Sequence, residues 1–224
     1  MHDLSGATGR PVELTELREL SFAVVDVEAT GSRVNGGDRV MEIGVVHVRG
    51  DAAETALDTL VDPQRPVTPF VTRLTGLTWS HLHEAPTFGD IAERVREALD
   101  GHVFVAHNSR FDFRFLSAEF RRLNRKGPAG PHLCTVKLAR KLLTHLPRRN
   151  LDALAFHYEV PIIGRHRAGG DARATAQILI RMLADARRRD VYTWGELTAL
   201  MRQPRPTPVR SYLPQPMSGY ERIA

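Results

Sequence analysis

The early part of the chain carries apolar positions that alternate and run continuously, a pattern that predicts β-strands. The strongest run covers residues 22–28, and further strands are predicted at about residues 39–49 and 55–61. Gly50 and Asp51 provide a short turn between the second and third strands. Because short connections join antiparallel neighbours, we expect a three-stranded antiparallel meander.

Farther along, the spacing of apolar residues changes to that of helices and buried strands. Ile91, Val95 and Ala98 recur at helical spacing, and the wholly apolar run 103–106 is typical of a strand buried on both faces. A meander followed by βα units predicts an α/β fold: a mixed five-stranded sheet of the antiparallel meander and parallel strands, flanked by helices. The remaining predicted elements are a helix at about 110–123, a strand near 133–135 followed by a helix that ends at about 143, and helices at about 151–158 and 171–186.

The chain is expected to form one folded domain with two flanking segments. Residues 1–20 are predicted as an N-terminal extension, 21–187 as the domain, and 188–224 as a proline-rich C-terminal tail with a short helix near 194–201. The last 21 residues hold five of the 14 prolines, which favours an extended chain. A length of 224 residues is too short for two full domains.

Composition excludes several classes of protein. Hydrophobic residues make up 42% and charged residues 25% of the chain, as in a globular protein with a core. There is no apolar run of the roughly 18 residues that a membrane span needs, and residues 1–20 lack the apolar block of a signal peptide. We expect a soluble, cytoplasmic protein with no membrane partner. Cys134 is the single cysteine, so neither an intrachain disulfide nor a thiolate zinc site is expected.

The balance of charge is compatible with a polyanionic partner. The formal net charge is +5, and only three of the 31 basic residues are lysines. The planar fork of arginine suits phosphate groups. A base-composition bias in the source genome accounts for the arginines equally well, so charge alone assigns no function.

Four carboxylates stand at positions that the apolar pattern assigns to the core. Asp26 and Glu28 share one face of the first strand, about 6.6 Å apart along it. Asp112 and Asp171 are each in phase with the apolar side of a helix. Each acid alone is more often a cap or a surface residue. Together they require positive partners, because buried carboxylates are unfavourable and adjacent ones repel.

Divalent cations fit these acids better than the arginines that follow two of them. Arg114 and Arg173 each stand two positions after an acid, on the wrong face of the helix for pairing, whereas hard cations prefer oxygen ligands.

His166, five residues before Asp171, is a candidate general base, because an unperturbed histidine has a pKa of about 6.5. Any single histidine among ten is more often structural. A zinc site is not favoured, since suitably spaced carboxylates are missing around the candidate histidines, which are His81, His83, His102 and His107.

The same residues resemble three motifs of a known family. Asp26-Val27-Glu28 after one apolar strand, residues 107–112 after a second, and His166-x-Ala168-x-x-Asp171 at the last helix resemble the motifs of the DEDDh exonucleases. These are proofreading-type 3′→5′ exonucleases, similar to the epsilon subunit of bacterial DNA polymerase III. The resemblance covers about residues 21–186 and extends to three connecting segments, Glu42-Ile43-Gly44, residues 73–78 and residues 150–154.

This resemblance implies a ribonuclease-H-like fold in an exonuclease domain at residues 21–187. It implies metal-dependent release of nucleoside 5′-monophosphates from single-stranded or frayed DNA 3′ ends, in proofreading or repair, with two Mg²⁺ or Mn²⁺ ions as cofactors. Asp26 would bridge both ions, Glu28 and Asp171 would complete the nucleophile-side site, and Asp112 would support the second ion. His166 would accept the proton of the attacking water.

The resemblance also implies which residues contact the terminal nucleotide. Many members have threonine directly after the second acid, whereas this chain has Ala29, so a hydroxyl contact to the terminal sugar is lost. Phe111 is either a stacking surface for a base or part of the core, and packing is the more frequent role of an aromatic side chain. The implied contact residues are Ala29, Thr30, Gly76, Leu77, Asn108 and Phe111.

Three questions stay open at the level of sequence. An RNA-trimming enzyme of the same fold would carry the same five catalytic residues, and DNA is favoured because the resemblance points to polymerase subunits. A non-catalytic, polymerase-associated nucleic-acid-binding module is less favoured, because an inactive relative is expected to have lost at least one of the five. The C-terminal tail, with Trp194 and Tyr212, either docks on a polymerase or nuclease partner or is disordered.

Overall fold

A computed structural model of the chain describes residues 11–204 and contains a mixed five-stranded sheet. The strand order is β3-β2-β1-β4-β5, with β1–β2 and β2–β3 antiparallel and β4 parallel to both β1 and β5. The predicted fold class is therefore confirmed. The strands are β1 (Ser21–Ala29), β2 (Val40–Arg49), β3 (Ala52–Leu60), β4 (Val103–Ala106) and β5 (His132–Cys134).

Eight helices connect and cover the strands in the described part of the chain. Two of them, α1 and α2, lie in the segment between β3 and α3 for which the apolar pattern predicted no helix, and α7 begins three residues before the predicted start at residue 171. None of the helices described could cross a membrane. They are α1 (Pro69–Thr75), α2 (Trp79–Leu82), α3 (Phe88–Leu99), α4 (Arg110–Arg122), α5 (Thr135–Leu142), α6 (Leu151–Tyr158), α7 (Ala168–Arg187) and α8 (Trp194–Arg202).

The central strand β1 separates two layers of hydrophobic core. Phe22 and Val24 pack on one face with residues of α5 to α8, and Val25 and Val27 pack on the other with residues of α3 and α4. Side chains along a strand alternate between its faces. The even-numbered residues Asp26 and Glu28 therefore continue the face that α7 covers.

Segments outside the predicted domain boundaries pack against the same core. Leu17 joins the core layer on the α7 face, and Leu17 N–H donates to the carbonyl of Tyr192 at 2.8 Å. Trp194 is also buried in that layer, so neither docking on a partner nor disorder, the two alternatives for the tail, applies to this residue. Tyr212 lies outside the described residues. The boundaries at residues 20 and 187 stay a prediction.

The N-terminus of α7 lies directly on β2. Gly44 stands opposite Asp26 in the β1–β2 pair. A Cβ atom at Gly44 would lie 2.5 Å from the carbonyl oxygen of Ala168 and 2.7 Å from the nitrogen of Gly169. Both are backbone atoms that cannot rotate away, so the close approach of strand and helix requires glycine.

We therefore expect Gly44→Ala to destabilise the protein by about 1–3 kcal/mol, the usual cost of overpacking. Urea unfolding measures the change. Gly89→Ala is the matched control, because a Cβ there meets its nearest atom at an ordinary 3.5 Å. The control should change the free energy of unfolding by less than about 1 kcal/mol, in the stabilising direction that helix propensity favours. Equal effects of the two substitutions would contradict the close approach.

Candidate active site

The four carboxylates predicted from the sequence come together at the end of β1. Asp26 and Glu28 lie on β1, Asp112 lies in the first turn of α4, and Asp171 lies in the first turn of α7. The N–H of Val27 donates to Asp112 Oδ1 at 3.1 Å, which holds α4 against the strand between the two β1 acids. Asp112 and Asp171 are each only 3% exposed. The convergence expected from strand alternation and helix phase is thus present.

His166 completes this cluster from the loop before α7. Its backbone adopts a left-handed conformation, with φ of 61°, and its N–H donates to Asp171 Oδ2 at 3.3 Å. Glu28, His166 and Asp171 each offer one ligand atom, and the three atoms lie within 4.8 Å of one another. The loop conformation therefore points the histidine at the carboxylates.

Burial and mutual repulsion both raise the pKa values of these acids. Burial raises the pKa of Asp26 well above its ordinary value, and the charges of Asp112, Glu28 and Asp171 raise it further. Burial, followed by the charge of Asp171, raises the pKa of Glu28 to about 8. For Asp112, burial raises the pKa to about 7, against the opposing effect of backbone N–H donors. The cluster thus resists full ionisation unless a cation is present.

One arginine that the sequence did not point to reaches the cluster. Arg165 pairs with Asp171 Oδ2 and, on its other side, with Asp152 Oδ1 at 2.9 Å. Arg173 pairs with Asp58 at 3.0 Å and not with Asp171, which agrees with its predicted position on the other face of the helix. Arg165 lies in the loop between α6 and α7, where helical phase gives no indication of its contacts.

The donor set still fits a divalent cation. Among the described residues, three buried side-chain atoms lack a hydrogen-bond partner, and one of these atoms is Asp171 Oδ1. Asp171 thus keeps a free acceptor in addition to the oxygen that Arg165 contacts. Carboxylate oxygens are the ligands that Mg²⁺ and Mn²⁺ prefer.

An ion pair between buried Glu42 and exposed Arg167 holds the third motif in place. Glu42 accepts from Arg167 Nε at 2.9 Å and Nη2 at 2.7 Å, and from the N–H of Ala168 at 3.0 Å. Arg167 and Ala168 directly follow His166, and the Glu42 carboxylate caps the N-terminus of α7. The Glu42-Ile43-Gly44 segment therefore positions His166 and Asp171.

A cavity of about 360 Å³ adjoins the acids and shares Glu28 with them. Its walls come from the end of β1, from α1 and from the first turn of α4. Phe70 on α1 is 66% exposed and is the most open of the cavity's aromatic side chains. The lining includes Glu28, Ala29, Thr30, Phe70, Leu74 and Phe111.

Three of the predicted substrate residues lie on the cavity wall and three do not. Ala29, Thr30 and Phe111 line it, and Phe111 is half-buried, packing on Phe115 with ring centroids 4.7 Å apart. Gly76, Leu77 and Asn108 are not among the lining residues.

The structure therefore places helix α1, rather than the Gly76-Leu77 loop, at the cavity. Leu77 is 3% exposed and packs with Met41, Val71 and Leu82. Gly76 ends α1 in a left-handed conformation with φ of 74°. Thr68 accepts from Val71 N–H as the cap of α1, and Pro69 follows it. These are usual helix-start signals that would have identified α1 in the sequence.

His107 has a structural role in this region. Its Nδ1 lies 2.9 Å from Thr135 Oγ1. Burial, followed by the charge of Arg165, lowers the pKa of His107 to about 4, so it is neutral near pH 7. Within residues 11–204, the metal-ligand group contains none of the four histidines considered for zinc.

The raised pKa values predict how stability depends on pH in the presence of a chelator. In the folded protein the carboxyls of Glu28 and Asp112 keep their protons to about pH 8 and 7, whereas in the unfolded chain they lose them near pH 4. The folded state then binds more protons, so the free energy of unfolding falls as pH rises through this range. His107 acts in the opposite direction, but only below about pH 6.5.

Urea unfolding at pH 6.5 to 8.5 in chelator checks this expectation. The free energy of unfolding should fall with pH, and Asp112→Asn should make the fall shallower. Glu54→Gln, at an exposed position on β3, is the control and should leave the slope unchanged. A rise in stability over this interval would contradict the assigned pKa shifts.

The exonuclease family model RNase_T matches residues 23–179 of the chain. That range contains Asp26, Glu28, Asp112, His166 and Asp171.

Similar curated proteins include several that are much longer than this chain. The chain is 38% identical over 216 residues to a Mycobacterium tuberculosis protein named as a bifunctional exonuclease/endonuclease, covering 93% of this chain and 32% of that protein. It is 33% identical over 206 residues to a DNA polymerase III subunit epsilon-like protein of Rhodobacter capsulatus, covering 90% and 29%. It is 32% identical over 189 residues to DNA polymerase III PolC-type of Bacillus subtilis, covering 84% and 13%. The chain thus spans a third or less of these relatives.

Solved structures with the same fold include exonuclease X in complex with 5′ overhanging duplex DNA. It has a TM-score of 0.63 at 23% identity, and the match covers 81% of this chain and 99% of that one. A 3′-exonuclease that recognises the 3′ end of a histone mRNA stem-loop has a TM-score of 0.64 at 21% identity, covering 74% and 82%. The TM-scores of these two structures support the ribonuclease-H-like fold. The motifs, the sheet order and the family match agree, and the chain belongs to the RNase_T exonuclease family.

Proposed function

We propose that this chain is a metal-dependent 3′→5′ exonuclease that releases nucleoside 5′-monophosphates from single-stranded or frayed DNA 3′ ends. The observation that carries the proposal is the meeting of Glu28, His166 and Asp171 next to a cavity, with Asp26 and Asp112 close enough for their charges to act on this group. This arrangement has the oxygen ligands and the base that phosphodiester hydrolysis requires.

Each residue of the cluster has a distinct role in this proposal. Asp26, Glu28, Asp112 and Asp171 would hold two Mg²⁺ or Mn²⁺ ions, which would supply stabilisation of the charge on the attacking and departing oxygens. His166 accepts the proton of the attacking water. Its fixed backbone, bonded to Asp171 and followed by the Glu42–Arg167 pair, orients the ring toward the carboxylates.

The cavity is the proposed site of the terminal nucleotide. Its lining pairs the exposed ring of Phe70 with Leu74 on one wall and Phe111 on another, surfaces suited to a nucleobase. Glu28 belongs to both the cavity and the metal-ligand group, which would bring the last phosphodiester bond near the carboxylates.

DNA is the favoured substrate because the similar curated proteins include DNA polymerase III proteins. RNA trimming is the second candidate, since one solved structure of the fold recognises a histone mRNA stem-loop. The relatives are several times longer than this chain, so a polymerase or a second nuclease is the proposed partner.

Parallel digestion of 5′-labelled single-stranded DNA and RNA of one sequence tests the proposal. In Mg²⁺ or Mn²⁺ we expect a ladder of DNA products shortened from the 3′ end, and none in chelator. Faster loss of RNA would favour trimming. Degradation in chelator, or degradation of neither polymer, would contradict the proposed function.

Two substitutions separate metal binding from proton transfer. Asp26→Ala should abolish cleavage because it removes one of the acids that would hold the ions. His166→Ala should slow turnover by roughly 10²–10⁴ while leaving metal binding largely intact, as expected for a lost general base. Calorimetric Mn²⁺ titration of each variant provides the second measurement, with Glu54→Gln as the control. Equal loss of metal affinity in both variants would contradict the separate roles.

Phe70→Ala should weaken binding of the 3′ end by about 1–3 kcal/mol, the usual contribution of base stacking on an aromatic ring. The ring is largely exposed, so stability should not change. Fluorescence anisotropy with a labelled oligonucleotide in Ca²⁺ measures the affinity. Phe156→Ala is the matched control, because this ring is 88% exposed on α6 and is not among the cavity residues. Unchanged affinity in Phe70→Ala would exclude α1 from substrate binding.

A further inference from the structure

Arg165 links the carboxylate cluster to a second acid outside it. On one side its guanidinium pairs with Asp171 Oδ2, and its Nη1 lies 3.2 Å from His166 Nδ1. On the other side its Nε donates to Asp152 Oδ1 at 2.9 Å and its Nη2 to Asp152 Oδ2 at 3.4 Å. The side chain thus lies between an acid of the candidate metal site and an acid at the surface.

The two partners of Arg165 differ in their surroundings. Asp171 is buried with the other cluster acids, whereas the side chain of Asp152 is 58% exposed on α6. The charge of Arg165 lowers the pKa values of Asp26, Glu28 and Asp171 against the stronger effect of burial. The arginine therefore partly neutralises the same carboxylates that a divalent cation would neutralise.

We propose that Arg165 is a built-in competitor of the divalent cations. Its guanidinium pairs with Asp171 in the metal-free protein, releases that carboxylate when a cation binds, and stays attached to Asp152. This inference rests on the proposed metal-binding role of the cluster.

The contacts of Asp152 explain how Arg165 can leave Asp171 without losing every partner. A two-point contact with a carboxylate is the strongest pairing that arginine makes, and Asp152 provides one at the edge of the site. An arginine that leaves Asp171 therefore keeps a partner and does not become an unpaired, half-buried charge. Asp152 lowers the cost of releasing Asp171, which makes Arg165 displaceable.

Metal affinity in the full chain tests the inference without relying on activity. Calorimetry with Mn²⁺ at fixed pH should show about tenfold tighter binding to Arg165→Gln than to the unchanged protein, as expected for loss of a charged hydrogen-bonded competitor. Arg173→Gln is the matched control: it removes an equal charge from α7, but its partner is Asp58. Equal or weaker binding by Arg165→Gln would overturn the inference.

Asp152→Asn gives the opposite expectation. Without Asp152, Arg165 would remain on Asp171, so Mn²⁺ should bind a few times more weakly. In the Arg165→Gln background the same change should have a much smaller effect, which makes the pair a double-mutant cycle. Additive effects of the two substitutions would overturn the inference.

Two further outcomes are separated by the same experiment. If the unchanged protein binds no Mn²⁺, the proposed function itself fails, whatever the variants do. If Arg165→Gln does not fold, as judged by circular dichroism, Arg165→Lys replaces it, because lysine keeps the charge but cannot form the two-point contact with Asp152. The affinity of the Arg165→Lys variant for Mn²⁺ should fall below that of the unchanged protein, because the charge stays near Asp171. Unchanged affinity would overturn the inference.

Discussion

Electrostatic repulsion among four acids at the end of β1 is the constraint on which the site depends. Burial raises the pKa values of these carboxylates, and the charges of neighbouring acids raise those of Asp26 and Glu28 further. Two of the four are held by backbone donors: Asp112 accepts from the N–H of Val27, and Asp171 accepts from that of His166. The surrounding structure supplies these contacts from backbone groups whose positions the sheet and α7 fix.

The antiparallel strand β2 contributes to the site although it holds none of the proposed catalytic residues. Gly44 leaves the space in which the first turn of α7 approaches the sheet, and Glu42 bonds both Arg167 and the N-terminus of that helix. Because Gly44 faces Asp26 and Glu42 faces Glu28, the packing of the helix and the spacing of the acids are set by the same strand pair. These contacts give a physical reason for the glutamate and the glycine in the Glu42-Ile43-Gly44 segment.

The sequence predicted what depends on regular periodicity and missed what depends on loop conformation. Strand alternation placed Asp26 and Glu28 together, and helical phase placed Asp112 inward, because both periods are fixed by backbone geometry. The contact of Arg165 with Asp171 is made from a loop in which His166 has a left-handed backbone, and no apolar pattern encodes a loop conformation. Helix α1 is a different case: its seven residues are too few for a clear period, but its capping threonine, proline and terminal glycine were readable.

The acids and the cavity wall formed by α1 pack on different parts of the hydrophobic core. The acids lie where β1 and α7 meet the two main core layers, whereas α1 rests on a small separate cluster of Met41, Val71, Leu77 and Leu82. Changes on the outer face of α1, at Phe70 or Leu74, can therefore alter the cavity without disturbing packing around the carboxylates. Glu28 is the point where the two parts meet, since it lies in both. A fold built this way can keep the proposed hydrolytic centre fixed while the shape of the adjoining cavity varies.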